Sequence, residues 1–260
     1  MNNLKLADFK KIIWEYYKRN KRLFPWRETD DPYKILVSEL MLQQTQTERV
    51  IPKYEEFIRL FPNIQSLAQS SVTDVLKVWN GLGYNRRAVY LHRIAQQIVA
   101  QFNSQIPSEE RILVSLPGIG NYTAGAISVF AFGGRAVFIE TNIRRVFIHF
   151  FFKDGEKVSD LQLIPLIEQT LPEKQIRDWY YALMDYGVFL AKTVENPNRK
   201  SKHYTKQSPF EGSNRQLRGK VLKTYLTEGS IPNGHLLFKE HKKEQIDRVI
   251  DDLKREGLVD

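Results

Sequence analysis

Two glutamates stand in segments that are otherwise strongly apolar, and both could take part in acid–base chemistry. Glu39 lies in "KILVSELML" (34–42), where most of its neighbours are aliphatic, and Glu140 ends the apolar run "AVFIE" (136–140). A buried carboxyl group tends to keep its proton and can donate it to a leaving group, whereas an ionised carboxylate stabilises a developing cation. Cleavage of a glycosidic bond typically uses two carboxyl groups in such different environments.

Each glutamate also has a structural explanation. Glu39 could be a buried acid that is paired only to satisfy its own charge. Glu140 directly precedes "TNIRRVFIHFF" (141–151), which has the pattern of a helix, and negative charge is favoured in the first turn of a helix. The residues alone therefore leave both explanations open.

A glycine-rich turn, "LPGIGNYTAGAI" (116–127), could bind an anion. Gly118 and Gly120 permit positive φ angles and let backbone N–H groups approach a ligand closely. The N-terminus of a helix behind such a turn attracts negative charge, and on a basic chain the expected anion is a nucleic-acid phosphate, bound without reading its sequence. The alternative is an ordinary tight connection between two helices.

Helical periodicity dominates the chain, no convincing alternating strand is present, and Pro and Gly mark short connections, as in a compact all-α protein. This pattern places Glu39 within a helix that is apolar on nearly every face, and Glu140 just before another. The predicted helices are 6–20, 52–61, 72–82, 86–102, 108–116, 121–132, 141–151, 161–171 and 174–192.

The composition limits the classes of partner. The 39 Lys and Arg residues outnumber the 30 Asp and Glu, and a net charge of +9 favours nucleic acid or an anionic membrane surface. No apolar run approaches the length of a membrane span, and Met1–Lys5 lacks a signal-peptide core, so we expect a cytoplasmic protein. With no cysteine, the chain cannot form disulfides, Cys-ligated zinc sites or iron–sulfur clusters.

Basic residues dominate the C-terminal part of the chain. Between residues 199 and 224 eight Lys and Arg side chains face one acid, Glu211. We interpret 196–212 as a basic linker into a small unit at 213–260, which consists of a helix, the spacer "SIPNGHLLFKE" (230–240) and a second helix. A winged-helix-like appendage and a packed helical tail with a solvated basic face both fit this pattern.

Together these stretches resemble the helix-hairpin-helix (HhH-GPD) DNA glycosylases, in particular the adenine DNA glycosylases of the MutY family. The similarity covers roughly residues 8 to 190, with the motifs in family order and at family-like spacing. "SELMLQQTQ" (38–46) is specific to the adenine branch, whereas "LPGIG" (116–120) indicates only the superfamily. The other matching segments are "FPWRETDDPYK", "VWNGLGYNRRAVYLHRIAQQI", "FIETNIRRV" and "ALMDYG".

The resemblance implies a two-lobed all-α domain over residues 1–195, with double-stranded DNA bound in the cleft between the lobes. The target nucleotide would be flipped out of the duplex into a pocket, because its reacting atoms are hidden in the base stack. The expected partner is DNA that contains a mismatched or damaged base. Such enzymes usually act as monomers.

The resemblance also assigns roles to residues. Glu39 corresponds to the general acid that protonates the adenine ring, Glu140 to the group that stabilises the oxocarbenium ion, and Asn142 to an asparagine beside it. The base pocket would contain Trp26, Arg27 and Asp185. The residues expected to wedge into the stack or contact the opposite base are Gln44, Thr45, Leu82 and Tyr84. The DNA backbone would be held by Leu116, Gly118, Ile119 and Gly120, and further contacts would come from Arg199, Lys200 and Lys202.

Tyr122 bears on the type of reaction. Related enzymes that also nick the strand have a lysine here, whose amine forms a Schiff base with the sugar. A tyrosine cannot form one, so we predict a monofunctional glycosylase that leaves an abasic site.

Three features depart from the family pattern. Glu140 replaces the family's aspartate, and one extra C–C bond moves a carboxylate by about 1.5 Å. Ala191 stands where the family usually has the first cysteine of an iron–sulfur cluster, so we predict a protein with no cluster, no metal requirement and no cofactor. The tail after residue 207 is too short and too helical to be the family's C-terminal module, which helps to recognise 8-oxoguanine.

The sequence thus leads to one main hypothesis and two alternatives. The main hypothesis is a base-excision-repair glycosylase that removes adenine opposite 8-oxoguanine or guanine. The first alternative is a glycosylase for thymine or uracil mismatched with guanine. The second is a catalytically silent DNA-binding or damage-sensing protein, because Glu140 departs from the family pattern.

Overall fold

A computed structural model describes residues 5–152, 157–206, 209–231, 238 and 241–259. Over these residues the chain forms thirteen α-helices and two 3₁₀ helices, with no β-strand beyond an isolated bridge between Val158 and Ser201. The predicted all-α class is therefore confirmed for this part of the chain. None of the helices described is long and apolar enough to cross a membrane.

Most helices lie where the periodicity predicts them. The α-helices are α1 (Leu6–Asn20), α2 (Pro32–Leu42), α3 (Thr47–Leu60), α4 (Ile64–Gln69), α5 (Val72–Trp79), α6 (Arg86–Gln101), α7 (Glu110–Ser115), α8 (Asn121–Phe132), α9 (Thr141–Phe151), α10 (Asp160–Thr170), α11 (Ile176–Thr193), α12 (Asn214–Glu228) and α13 (Lys243–Arg255). The 3₁₀ helices are Pro25–Arg27 and Pro197–Lys200. The short helix α4 is the one that the sequence analysis missed.

The chain divides into two compact units. Unit one comprises Met1–Ile35, Ser108–Ser115 and Ile119–Lys206, and unit two comprises Leu36–Pro107, Leu116–Gly118 and Gln207–Asp260. The predicted boundaries at residues 195 and 212 stay a prediction. Residues 207–208 of the predicted linker, and most of the predicted spacer 230–240, lie outside the residues that the structure describes.

Unit one has an aromatic core formed by α1, α9 and α11. The ring of Phe9 lies 5.3 Å from that of Phe147, 5.0 Å from that of Phe151 and 6.0 Å from that of Trp179, measured between centroids. All four side chains are buried, and burial of each stabilises the fold by about 1.5–3 kcal/mol. This core fixes the helix that follows Glu140.

Gly187 allows α11 to pack closely against the start of α9. A Cβ atom at this position would lie 2.5 Å from both the Cβ and the carbonyl oxygen of Asn142, which is too close for any side chain. The glycine therefore sets the distance between the two helices at the point where α9 begins.

Unit two is built around α3, α4, α5 and α6, with Phe57 and Trp79 fully buried. The C-terminal helices α12 and α13 pack on each other and belong to this unit. Glu256, just after α13, accepts hydrogen bonds from Arg86 at the start of α6 (2.7 Å) and from Arg218 on α12 (2.6 Å). This carboxylate ties the C-terminal pair to the helix that follows the 81–85 loop.

Candidate active site and DNA-contacting loops

Glu140 is the N-cap of α9, and its carboxylate is held by the first turn of that helix. One carboxylate oxygen, Oε1, accepts hydrogen bonds from the backbone N–H of Asn142 (2.7 Å) and of Ile143 (2.8 Å). The other, Oε2, accepts from the side-chain amide of Asn142 at 3.1 Å. The first N–H groups of a helix have no partner within the helix, so this carboxylate satisfies them and lies in the favourable field of the helix N-terminus.

A second layer of contacts fixes Asn142. Nη1 of Arg145 donates to the side-chain oxygen of Asn142 (2.6 Å) and to the backbone oxygen of Gly187 on α11 (2.8 Å). Since Arg145 is buried in unit one, its guanidinium is protected from competing water. Glu140, Asn142 and Arg145 therefore form one hydrogen-bonded chain with a fixed geometry.

The environment of Glu140 acts on its pKa in both directions. Burial raises the pKa of this carboxyl group above the ordinary value of 4.5. The two backbone N–H donors and the charges of Arg145 and Arg144 lower the pKa, but they only partly offset the burial. A cationic sugar near the carboxylate would favour the ionised form further.

Tyr122 lies in the first turn of α8. Its ring is half-buried and packs edge-on against Phe138, with centroids 5.7 Å apart. Phe138 lies two residues before Glu140, and Gly125 of α8 packs against it, since a Cβ at Gly125 would lie 3.3 Å from the Phe138 Cβ. Packing within unit one thus joins the start of α8 to the segment that leads into α9.

The predicted base-pocket residues Trp26, Arg27 and Asp185 come together in unit one. Arg27 donates to both oxygens of the Asp185 carboxylate, each at 2.9 Å, in a pair that is almost fully buried. Arg22 adds a side-chain bond of 2.6 Å and a backbone bond of 3.1 Å, so each carboxylate oxygen accepts two N–H groups. The Phe24 ring stacks on that of Trp26 at 5.2 Å.

Glu39 lies within α2 in unit two and is only 5% exposed. Leu36, Val37, Leu40 and Met41, its neighbours along the helix, are fully buried. The predicted burial of this acid is therefore what the structure shows. Glu39 and Glu140 belong to different units, and their pairing across a pocket stays a prediction.

Two loops of unit two carry the residues predicted to enter the base stack. In the 43–46 loop, Gln44 is exposed and has a positive φ of 54°, which is uncommon for a residue other than glycine. In the 81–85 loop, Tyr84 is 44% exposed and also has a positive φ, of 47°. Leu82, in contrast, is only 3% exposed, so Tyr84 is the more accessible side chain of this loop.

The turn 116–120 has a positive φ at Gly118, whereas Gly120 has an ordinary extended backbone with a φ of −94°. Gly118 has a φ of 74°, and a Cβ here would lie 2.3 Å from the ring of Tyr90, so both the conformation and the packing require glycine. Leu116 and Ile119 are buried, and the exposed Gly120 is the N-cap of α8. This arrangement is compatible with backbone N–H groups facing a phosphate.

The basic residues Arg199 and Lys200 lie in the second 3₁₀ helix, and Lys202 follows it. Asn198 anchors this segment, because its side-chain amide donates to the backbone oxygen of Thr141 at 3.0 Å. The described residues contain no group of three or more His, Asp or Glu side chains that could hold a metal. A thiolate-ligated iron–sulfur cluster does not fit a chain without cysteine.

Arginines that the sequence analysis did not single out organise these sites. Arg145 and Arg22 hold Asn142 and Asp185, and Arg87 connects the two loops of unit two. The sequence did contain an indication that Arg87 is buried, because this residue occupies the apolar stripe of α6 that continues through Leu91 and Ile94. A charged residue in such a stripe needs partners elsewhere in the fold.

Comparison with known proteins gives a consistent family. The model of the "HhH-GPD superfamily base excision DNA repair protein" matches residues 37–163, a range that includes Glu39, Tyr122, Glu140 and Asn142. The adenine DNA glycosylase of Mycobacterium tuberculosis (strain ATCC 25618 / H37Rv) is 35% identical over 249 residues, covering 84% of this chain and 77% of that protein.

Other relatives extend the comparison. The adenine DNA glycosylase of Buchnera aphidicola subsp. Baizongia pistaciae is 36% identical over 71% of this chain, which spans about half (53%) of that relative's length. The thymine/uracil-DNA glycosylase of Methanothermobacter thermautotrophicus is 28% identical over 72% of this chain and 86% of its own. Among solved structures, a thermostable thymine-DNA glycosylase matches with a TM-score of 0.68 and 27% identity, covering 75% of this chain and 91% of that one.

Proposed function

The chain belongs to the HhH-GPD superfamily of base-excision DNA repair glycosylases, and from this premise we propose that it is a monofunctional glycosylase that removes adenine mispaired with 8-oxoguanine or guanine. The observation that carries the choice of adenine is the similarity to adenine DNA glycosylases at 35% and 36% identity. The motif "SELMLQQTQ", typical of the adenine branch, supports the same choice.

In the proposed reaction the bond between the sugar carbon C1′ and the base nitrogen N9 breaks. The bonding electrons leave with the base, and a proton from Glu39 neutralises it, so that adenine departs as a neutral molecule. The Glu140 carboxylate stabilises the oxocarbenium ion that remains, because it is already fixed by the helix N-terminus and needs no reorganisation. Water then adds to C1′, its proton returns to Glu39, and an abasic site results.

A second candidate is removal of thymine or uracil mispaired with guanine. It is favoured by the match to the thymine-DNA glycosylase structure and by the thymine/uracil-DNA glycosylase relative, of which this chain covers 86%. Tyr122 is compatible with either substrate, since neither reaction needs a Schiff base. The identities to these proteins, 27% and 28%, are lower than those to the adenine enzymes.

The proposal is tested by base release from defined duplexes. The protein is incubated with duplexes that contain A:8-oxoguanine, A:G, T:G, U:G or only normal pairs, and hot alkali then cleaves any abasic sites. We expect strand cleavage at A:8-oxoguanine and A:G, and only after alkali treatment. Release of thymine or uracil would replace the proposal by the second candidate. Binding without release on any duplex would leave a silent DNA-binding protein.

Glu39→Gln tests the role of the acid in the same assay. The substitution keeps the shape of the side chain but removes the proton donor, so we expect release to slow by about 10²- to 10⁴-fold while duplex binding is retained. Glu55→Gln, the same chemical change at an exposed position of α3 in the same unit, is the matched control and should leave release unchanged. Full activity in Glu39→Gln would refute the assignment.

A further inference from the structure

One buried guanidinium, that of Arg87 in α6, contacts both loops of unit two that are proposed to enter the DNA. Arg87 is 6% exposed and lies in the first turn of the helix. Burial lowers its pKa to about 10, which still leaves the group positively charged at neutral pH. A buried charge must be compensated, and among the described residues the compensation comes from five backbone oxygens and the hydroxyl of Thr45.

The first set of contacts is to the end of α2 and the loop that follows it. Nη1 of Arg87 donates to the backbone oxygens of Leu40 (2.7 Å), Met41 (2.9 Å) and Gln43 (2.6 Å). The last carbonyl groups of a helix have no partner within it, and they lie at the negative end of the helix dipole. The guanidinium therefore caps the helix that carries Glu39.

The second set of contacts is to the two loops. Nη2 of Arg87 donates to the hydroxyl of Thr45 (3.0 Å) and to the backbone oxygen of Gly83 (2.9 Å), and Nε donates to the backbone oxygen of Tyr84 (3.2 Å). The guanidinium carbon also lies 5.4 Å from the centre of the Trp79 ring. One planar group thus bonds the 43–46 loop and the 81–85 loop at the same time.

Both loops contain backbone conformations that need such support. Gln44 and Tyr84 have φ angles of 54° and 47°, and residues with a side chain adopt this region at a cost. Such conformations persist where surrounding contacts over-determine them, and the contacts of Arg87 fall on Gln43, Thr45 and Tyr84, at or directly beside the strained positions.

We propose that Arg87 is a positioning residue that locks the 43–46 loop, the 81–85 loop and the end of α2 into one rigid element. The consequence is that the side chains which open the base stack and the acid Glu39 keep a fixed spacing within unit two. The inference rests on the proposed glycosylase function for its consequence in the reaction, but the locking itself depends only on the contacts of Arg87.

The planar shape of the guanidinium matters as much as its charge. A lysine ammonium is a compact point charge with three donors, whereas Arg87 bonds six acceptors that lie in two directions. We therefore expect Arg87→Lys to keep the charge near the end of α2 but to lose the hydrogen bonds to one of the two loops. Arg87→Met should lose the hydrogen bonds to both loops.

The test compares Arg87→Lys and Arg87→Met with a control on the same helix, His92→Ala. His92 is also buried, and its Nε2 atom lies 2.9 Å from the backbone oxygen of Ser70, away from both loops. Each substitution is made in the wild type and in the inactive Glu39→Gln background. The measurements are thermal unfolding, single-turnover base release, and the fluorescence of a 2-aminopurine placed beside the mismatch, which rises when the stack is opened.

We expect Arg87→Lys to lower the single-turnover rate by about 10- to 100-fold and to lose most of the 2-aminopurine signal, while His92→Ala, at equal or greater loss of thermal stability, keeps both. If Arg87→Lys and His92→Ala reduce the signal in proportion to their loss of stability, Arg87 is only structural and the inference is wrong. If Arg87→Met does not fold, the comparison of Arg87→Lys with His92→Ala tests the inference by itself.

The outcome is separate from that of the proposed function. If the wild type releases no base from any duplex, the glycosylase proposal fails. The 2-aminopurine signal in the Glu39→Gln background still shows whether Arg87 sets the loops, since this readout needs no chemistry. A full signal in Arg87→Met would overturn the inference even if the wild type is an active glycosylase.

Discussion

Charged side chains bond the backbone groups that have no partner within the helix at the start of α9 and at the end of α2. The two side chains have opposite charges, because the two helix ends do. At the start of α9, the carboxylate of Glu140 accepts hydrogen bonds from N–H groups that have no partner within the helix. At the end of α2, the guanidinium of Arg87 donates to carbonyl groups that lack one. Each group lies at the end of the helix dipole that favours its charge.

The two sites differ in how far along the chain their partners lie. Glu140 bonds to residues two and three positions away, whereas the partners of Arg87 on α2 and its loop lie 42 to 47 positions away. The geometry at Glu140 is therefore set locally, as soon as α9 forms. The geometry at Arg87 exists only after α2 and α6 have packed together. We expect the geometry at the first site to depend less on the rest of the fold than the geometry at the second, with the close packing at Gly187 as the main distant contribution.

Among changes at the starts of α9 and α10, the largest effect is expected from removing the charge of Glu140. Glu140→Gln keeps an oxygen to cap α9, so the free energy of unfolding should fall by less than about 1 kcal/mol. Loss of the negative charge should slow base release by about 10²- to 10³-fold, because nothing then opposes the developing cation. Single-turnover release and urea unfolding measure the two quantities. A large loss of stability with little loss of rate would show that this glutamate is only a cap.

The acidic limb of the rate profile gives an independent check on Glu140. Burial raises its pKa above 4.5, and in the proposed reaction the ionised form of Glu140 is the active one. The wild-type rate should therefore fall as the pH drops through a value above 4.5, and this limb should disappear from the residual activity of Glu140→Gln.

Glu140→Asp keeps the negative charge but shortens the side chain, so it tests the position of the carboxylate separately from its charge. Aspartate caps a helix well, so stability should change by less than about 0.5 kcal/mol, whereas a carboxylate displaced by about 1.5 Å should slow release by up to about 100-fold. If Glu140→Asp releases the base faster than the wild type, the glutamate lowers the rate at this position relative to aspartate.

A smaller effect is expected from disturbing the packing that holds the start of α9. In Gly187→Ala the new methyl group would overlap Asn142, and such overpacking costs about 1–3 kcal/mol. Because Asn142 also bonds Glu140, the rate of base release should fall as well. Urea unfolding and single-turnover release measure both.

Gly219→Ala is the matched control for Gly187→Ala. Gly219 lies within α12, its φ is not positive, and apart from its chain neighbours and the nearby backbone of α12 no described atom lies within 4 Å of the position of a new Cβ. Alanine is favoured over glycine inside a helix by about 0.5–1 kcal/mol, so this variant should be slightly more stable and fully active. Equal losses in both variants would mean that the close approach of α9 and α11 does not support the site.

The features of this fold that could be predicted from the sequence are those that depend on local contacts, as the cap at Glu140 does. The periodicity and the residues that end each helix predicted α1, α8 and α9 at their observed bounds. Gly118 and its positive φ followed from the Pro-Gly-Ile-Gly turn. The position of Glu140 directly before α9 followed from the apolar run and the Thr-Asn pair after it.

Parts that depend on distant residues could not be predicted in this way. The bonds from Arg22 and Arg27 to Asp185 join residues more than 150 positions apart, so no local pattern reveals them. Helix α4 was missed because it is only six residues long, and a reciprocal Asn63–Ser66 cap stabilises its start. The assignment of Asp185 to the base pocket came from family resemblance and stays a prediction, whereas the four hydrogen bonds from Arg22 and Arg27 to its carboxylate came from the structure.

The smallest expected effect is at the start of α10, where a carboxylate bonds a side chain rather than the backbone. Asp160 accepts two hydrogen bonds from Arg144 of α9, at 2.8 and 2.7 Å, and these bonds lower its pKa below the ordinary value of 3.8. A carboxyl group with a lowered pKa in the folded state stabilises the protein above the unfolded pKa, and the contribution disappears as the pH falls through the folded value.

Asp160→Asn should therefore lower the free energy of unfolding at pH 7 by about 0.2–1 kcal/mol, since the pair is partly exposed and screened by solvent. The difference from the wild type should shrink as the pH drops below 3.8 and should be close to zero once both chains carry a neutral side chain at this position. Urea unfolding at pH 7 and at about pH 3 measures the change, with the exposed Asp251→Asn on α13 as the control. A difference that persists unchanged in acid would mean that Asp160 stabilises α10 by its shape and not by its charge.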